Sequence, residues 1–256
     1  MKWPISLELV RHAESAYNVL KKKKAADPRY AEFVAEYKRD YTSALARALA
    51  AEIMEKYSLG VSDYKTPLTK EGMEHALGTG RALRGVATLP DIVFFSPYLR
   101  TRQTLECLVE GWPELANVKR VAEDRIREQE HGLSLLYNDW RVFHVFHPEQ
   151  KRLHKLMNPY WYQYPQGESI SNVRDRTRDV TGMLIRECAG LRVLLVTHHL
   201  TILSFRANLE RLTPEEFLRL DEKEKPLNCG VTRYVGHPEL GRDGKLILDI
   251  YNRQYA

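Results

Sequence analysis

Three short apolar runs constrain this chain more than anything else in it: ISLELV at 5–10, DIVFF at 91–95 and RVLLV at 192–196. Each is rich in β-branched or aromatic residues, which suits a strand covered on both faces by helices. Helical patterns separate them. LTKEGMEHALGTGRALRGV offers Thr69 as N-cap, SPYLRTRQTLECLVEGW offers Ser96 with Pro97 at the first helical position, and TPEEFLRL offers Thr213 with Pro214. In SISNVRDRTRDVTGMLIREC, Ile170, Val173, Thr177, Val180 and Leu184 fall on one helical face. GVTRYV (230–235) and KLILDIY (245–251) read as further strands, antiparallel at an edge. The alternation predicts an α/β fold, a three-layer α/β/α sandwich around a mostly parallel sheet.

The tips of these strands carry charge where apolar cover stops. Arg11 and His12 follow the first run, Arg100 sits in the helical turn after the second, and His198 follows the third. An arginine in a helix's first turn opposes the helix dipole, and an external anion resolves that conflict. Ligands of open α/β sheets bind beyond the carboxyl ends of the strands. The layout therefore directs Arg11, His12, Arg100 and His198 toward one edge.

The rest of the composition narrows the setting. A length of 256 residues fits one large domain or two small ones, and no linker or composition break demands two. The expectation is a single domain over 1–256 with a helical insertion after the first strand, at about 21–62. No apolar stretch approaches the roughly 20 residues of a membrane helix, and the N-terminal residues lack a signal-peptide pattern, so a cytoplasmic address and no membrane partner are expected. Cys107, Cys188 and Cys229 are scattered, without a CxxC, which argues against a disulfide framework or a zinc knuckle. The net charge of +5 suits anionic partners.

Within the insertion, Asp27 and Pro28 start a long helical pattern over 27–57, with an apolar-aromatic stripe through Val34, Tyr37, Tyr41, Leu45, Ala48, Leu49 and Ile53. Such a stripe suits core or a subunit interface, which leaves a homodimer open. Lys21–Lys24 read as a solvated basic loop. With no aromatic-interleaved platform beside them, they argue against a nucleic-acid partner. His144 and His147 have metal-like spacing but no third ligand nearby, so no metal is expected there.

Five stretches, LVRHAESAYN, SPYLRTRQT, IREQEHG, GES and VTHH, resemble in order the motifs of the histidine phosphatase superfamily, the phosphoglycerate mutase-like group. The resemblance covers about residues 5–235 apart from 21–62. It implies that His12 is the nucleophile that becomes phosphohistidine. It implies that Arg11, Arg100 and His198 hold the phosphate oxygens, that Asn18 is a further phosphate contact, and that Glu128 is the proton donor. Glu130 is the alternative acid and Glu123 a weaker one. Gly167, Glu168 and Ser169 match a turn beside the pocket and are as well explained as structural caps. Two departures stand out: Ala13 and His199 occupy positions where glycine is common in the family. The implied chemistry uses no cofactor and no metal.

Mutases of this family carry an ERHYG-type stretch at the acid and paired arginines that grip a substrate carboxylate. Here the stretch is REQEHG, and no paired-arginine motif follows in the next forty residues. Hydrolysis of a small phosphate monoester is therefore expected, with a mutase as the alternative. A non-catalytic binding or scaffold protein is the third reading, weakened because the full set of candidate residues is intact. The aromatic-rich region 133–165 reads as substrate wall or as core.

Overall fold

The computed structural model describes residues 2–256. In chain order the first half contains β1 (Ser6–Arg11), α1 (Ala16–Ala25), α2 (Pro28–Asp40), α3 (Ala44–Lys56), α4 (Lys70–Val86), β2 (Ile92–Phe95), α5 (Leu99–Gly111) and β3 (Lys119–Ala122). The second half contains α6 (Trp140–Phe146), α7 (Pro148–Trp161), α8 (Ile170–Glu187), β4 (Arg192–Thr197), α9 (His199–Leu209), α10 (Pro214–Lys223), β5 (Val231–His237) and β6 (Lys245–Arg253). Two compact units result. The first comprises the chain up to Ser15, Tyr64–Glu128 and Asn172–Ala256, and the second comprises Ala16–Asp63 and Gln129–Ser171.

The first unit is the layered α/β sandwich. Its sheet has the order β3-β2-β4-β1-β5-β6. Neighbours from β3 to β1 pair in parallel, and β5 is antiparallel to both β1 and β6, so every strand but β5 runs the same way. Side chains alternate between two cores. Leu7, Leu9, Phe94, Val193 and Leu195 pack against Val180 and Leu184 of α8 and Ile202 and Phe205 of α9. Val10, Val93, Leu194 and Val196 face the other way, against Leu83 of α4 and Leu105 and Leu108 of α5. Each such side chain, fully buried, contributes roughly 1.5–3 kcal/mol, which is why the three central strands hold their register. The strand β3 was not foreseen from the sequence: KRVA is short and mostly exposed, and its pairing is supplied by β2.

Helix starts follow local chemistry. Thr69 accepts the Gly72 N–H at 3.0 Å, and Thr213 forms a capping box with Glu216, both as expected. Gly72 is required where it stands, because a Cβ there would collide with the Glu14 carbonyl. That close approach ties the loop after β1 to α4, helped by a Thr69 N–H bond to the same carbonyl at 2.9 Å.

The second unit is helical. Phe33, Tyr37, Leu49, Ile53, Val142 and Val145 form its core, with Val34 and Tyr41 partly buried against it, while Leu45 and Ala48 of the stripe are exposed. The long pattern over 27–57 breaks into α2 and α3. Asp40 Oδ1 accepts both the N–H (2.9 Å) and the hydroxyl (2.6 Å) of Thr42, and Ser43 then caps α3 through the Ala46 N–H at 3.0 Å. Local side-chain bonds of this kind compete with helix continuation. The four lysines form no loop. They end α1, and Lys24 is buried, paired with Asp139 at 2.7 Å while the other three are exposed.

Candidate active site

Three adjacent parallel strands set out the site. Because β4 lies between β2 and β1, with Phe95 opposite Val196 and Arg11 opposite Thr197, the residues that leave these strands are neighbours. The His12 N–H donates to the Thr197 carbonyl at 2.9 Å, and the Ser96 N–H to the Val196 carbonyl at 3.0 Å. His12, His198 and Ser96 are thereby brought side by side at the carboxyl edge of the sheet.

His12 is 3% exposed. Its Nδ1 lies 2.7 Å from the Ala13 carbonyl oxygen, an acceptor only, so Nδ1 carries the proton and Nε2 the lone pair. The Ala13 N–H donates to Thr104 Oγ1 at 3.0 Å, and Asn228 Nδ2 donates to the His12 carbonyl at 2.8 Å, which holds the loop on both sides. Ala13 is not among the residues with positive φ, so the backbone has no need of glycine there. Burial, then the charges of Arg100 and Arg11, push His12 well below the usual histidine range.

His198 is fully buried, and its ring centroid lies 5.2 Å from that of His12. Its Nε2 meets Ser96 Oγ at 2.8 Å, while its Nδ1, also buried, has no hydrogen-bond partner. Burial and the neighbouring Arg100, His12 and Arg11 charges depress its proton affinity well below normal too. Ser96 is thus no helix cap. The helix starts at Leu99 with Tyr98 in the capping position, because Ser96 is held against β4 by its backbone and turned to His198 by its side chain. Sequence reasoning missed this role. The signal lay in Ser96 standing one residue past its strand, as His198 does, but strand adjacency was needed to read it. Arg100, 5% exposed, stacks its guanidinium 4.9 Å from the Tyr98 ring centre.

Arg11 donates through one terminal nitrogen to the Pro226 carbonyl at 2.7 Å, and its buried Nε has no partner. Burial lowers its proton affinity, with the Glu128 charge opposing and the Arg100 charge adding. Glu128 Oε1 accepts the Leu200 N–H in the first turn of α9 at 3.2 Å. The loop that carries Glu128 is pinned from two helices and a strand. Arg176 of α8 donates to the carbonyls of Arg125 (2.7 Å), Arg127 (2.8 Å) and Glu128 (3.0 Å). Thr201 donates to the Arg127 carbonyl and Thr197 to that of Ile126, both at 2.6 Å. Arg176 is a second residue that the sequence did not reveal, being one of several arginines on that helix.

Several of the remaining candidates have partners of their own. Glu123 is clamped by Arg125 at 2.7 Å, which holds its carboxyl below the usual range. His199 faces Asp221 of α10 at 2.8 Å, a structural contact. Asn18 belongs to the second unit, on α1, and so does Glu130. The Glu130 backbone pairs with Glu168, whose carboxylate accepts the Glu130 N–H at 3.0 Å. Gly167 and the buried Ser169 complete that turn. His144 and His147 are bound to tyrosines, His144 Nδ1 to Tyr37 at 3.1 Å and His147 Nε2 to Tyr137 at 2.7 Å.

Known proteins resemble this chain in sequence and in fold. The sequence profile of the histidine phosphatase superfamily (branch 1) matches residues 58–241. A 2,3-bisphosphoglycerate-dependent phosphoglycerate mutase of Rhizobium rhizogenes is 30% identical over 169 residues, covering 62% of this chain and 75% of that protein. A phosphoglycerate mutase-like protein of Arabidopsis thaliana is 28% identical over 179 residues. That match covers 62% of this chain and 61% of the relative, less than two thirds of its length. A mycobacterial glucosyl-3-phosphoglycerate phosphatase, solved with inorganic phosphate, shares the fold with a TM-score of 0.61 at 17% identity, across 98% of each chain. The profile match spans four of the five motifs, beginning after LVRHAESAYN, and over that span the chain belongs to the histidine phosphatase superfamily.

Proposed function

We propose that the protein hydrolyses a small phosphate monoester through a phosphohistidine on His12. The observation that carries this reading is the commitment of His12 Nδ1 to the Ala13 carbonyl, which leaves Nε2 as the nucleophile. The depressed proton affinity of the imidazole keeps it neutral near pH 7. Nε2 attacks phosphorus. An N–P bond forms, the P–O bond to the leaving group breaks, and its electron pair goes to the leaving oxygen. Glu128 gives that oxygen a proton. Glu128 then takes a proton from the water that attacks phosphorus, the N–P bond breaks, and orthophosphate leaves.

Charge on the phosphoryl oxygens is met by Arg11, Arg100 and His198. Arg11 Nε and His198 Nδ1 are buried polar atoms with no partner, and an oxyanion supplies the acceptor. With the Ser96 hydroxyl donating to Nε2, His198 offers its N–H at Nδ1. Each charged hydrogen bond of this kind is worth roughly 1.5–3 kcal/mol. Asn18 is counted among the phosphate contacts on its motif position alone. Three free thiols suit a reducing, cytoplasmic setting.

The match to curated mutases favours a second reading, in which the phosphoryl group returns from His12 to an organic acceptor rather than to water. A panel of phosphorylated metabolites that includes 3-phosphoglycerate separates the two. Orthophosphate release, absent in His12→Ala, is the expected result. Isomerisation outpacing release would establish the mutase instead.

A further inference from the structure

A cavity of about 460 Å³ opens in the first unit, apart from the catalytic cluster. Its walls include Tyr64, Phe95, Arg102, Leu105, Glu106 and Arg120, at the carboxyl ends of β2 and β3 and along α5. None of Arg11, His12, Arg100, Glu128 and His198 lines it. Tyr98 stands between the two places. Its ring meets that of His198 at 5.1 Å and that of Tyr64 at 5.3 Å, edge-on in both cases.

Four arginines of this unit sit on carboxylates: Arg84 pairs with Glu114, Arg192 with Asp91, Arg206 with Glu210 and Arg233 with Asp249. Arg102 and Arg120 are exposed, and among the described residues neither guanidinium makes a hydrogen bond or an ion pair. Glu106, one turn further along α5, does not pair with Arg102 either. Two guanidinium groups on one concavity suit phosphate oxygens, which accept their paired N–H groups. Tyr64 is 46% exposed and presents a ring beside them. A flat aromatic group stacks on such a surface. The volume lies within the range of small-molecule sites.

We propose that this cavity binds a nucleoside phosphate, the base against Tyr64 and the phosphates between Arg102 and Arg120. Glu106 accepts a hydrogen bond from a base amino group or a ribose hydroxyl. The site is separate from the phosphoryl pocket, and its occupancy does not depend on the hydrolytic reading.

Calorimetric titration of the intact protein with ADP, in the presence of orthovanadate to fill the pocket at His12, tests the assignment. ADP binding is expected to persist with orthovanadate and in His12→Ala. It should weaken at least about tenfold in the Arg102→Gln/Arg120→Gln double variant, whose fold is checked by circular dichroism. Adenosine alone and pyrophosphate alone should each bind at least about tenfold more weakly than ADP, because each leaves half the site unused. No heat of binding with ADP would overturn the proposal. So would binding that vanishes in His12→Ala, binding indifferent to both arginines, or pyrophosphate matching ADP, which would leave a plain anion site. The titration reads binding whether or not the protein turns over a phosphate ester, so it fails independently of the catalytic proposal.

Discussion

The molecule holds two pairs of histidines of nearly the same geometry, three of the four buried and His154 half-buried. In the first unit His12 and His198 have ring centroids 5.2 Å apart. In the second, His144 and His154 are 5.3 Å apart. Burial lowers the proton affinity of all four. Their surroundings differ. Around His12 and His198 stand Arg11 and Arg100, and the unpartnered Arg11 Nε and His198 Nδ1 lie among those charges, whereas the unpartnered His144 Nε2 does not. Around His144 stand Tyr37, Trp140, Phe143 and Tyr162, and the one nearby ammonium, that of Lys151, lies 4.7 Å from the Tyr37 ring centre. A displaced pKa is therefore common to the proposed reactive centre and to an aromatic core. What separates them is whether the surrounding charges await an anion or are already covered by rings.

The sharpest way to break this contrast is to substitute both. His12→Ala should lower phosphate release by on the order of 10⁴-fold or more, since no other group replaces the nucleophile. His144→Phe should leave turnover unchanged. Steady-state assay of the two variants side by side decides the matter, and comparable losses would mean that the wrong pair has been placed in the chemistry.

Glu128→Gln comes next. It keeps the Leu200 N–H bond in shape but cannot give a proton, so kcat should fall by about 10²–10⁴-fold toward alkyl phosphates. The loss should shrink toward para-nitrophenyl phosphate, whose leaving oxygen needs no proton. An equal loss for both would remove Glu128 as the acid and return Glu130 to consideration. Ser96→Ala should cost about 10–100-fold in kcat, with partial rescue by Ser96→Thr, because the hydroxyl sets which His198 nitrogen carries the proton. If Ser96→Ala acted only on stability, with kcat intact, Ser96 would be a packing residue.

The same contrast marks what the sequence could disclose. His12, Arg11 and His198 were legible because each follows an apolar run whose strand character is unmistakable, and a strand end is a fixed place. Their mutual distance was not, since it depends on β4 lying between β2 and β1, an order that no local pattern encodes. Ser96 was misread for that reason. Its Ser-Pro context signals a helix cap, and only the Val196 partner across the sheet turns it to His198. Arg176 was invisible because its bonds go to backbone carbonyls of a distant loop, which any sequence could supply. The split of 27–57 came from Asp40 and Thr42, a short side-chain bond overriding a continuous apolar stripe. The edge strand β3 has too little apolar surface to be read from composition, and it exists because β2 offers it a partner.

The smallest effect concerns acid stability. His144 has its pKa pushed down to about 3, first by burial and then by the charges of His154 and Lys151, while Asp139 acts the other way. In an unfolded chain a histidine titrates near about 6.5. Between those two values the unfolded state binds a proton that the folded state refuses, so this group lowers stability progressively as pH falls below about 6.5 and does not penalise the fold above it. His144→Phe removes that penalty together with a buried Nε2 that has no partner. The lost Tyr37 bond shifts stability at every pH, so the slope, not the level, is the readout. Between pH 7 and pH 5 the melting temperature of the variant should fall less than that of the wild type, by roughly 4–8 °C. The same comparison on a chain with His12 and His198 intact leaves their contribution in both proteins, which cancels. Equal falls in the two would mean that His144 takes up its proton within the folded aromatic core, and that the second pair of histidines is more open to solvent-borne charge than its rings imply.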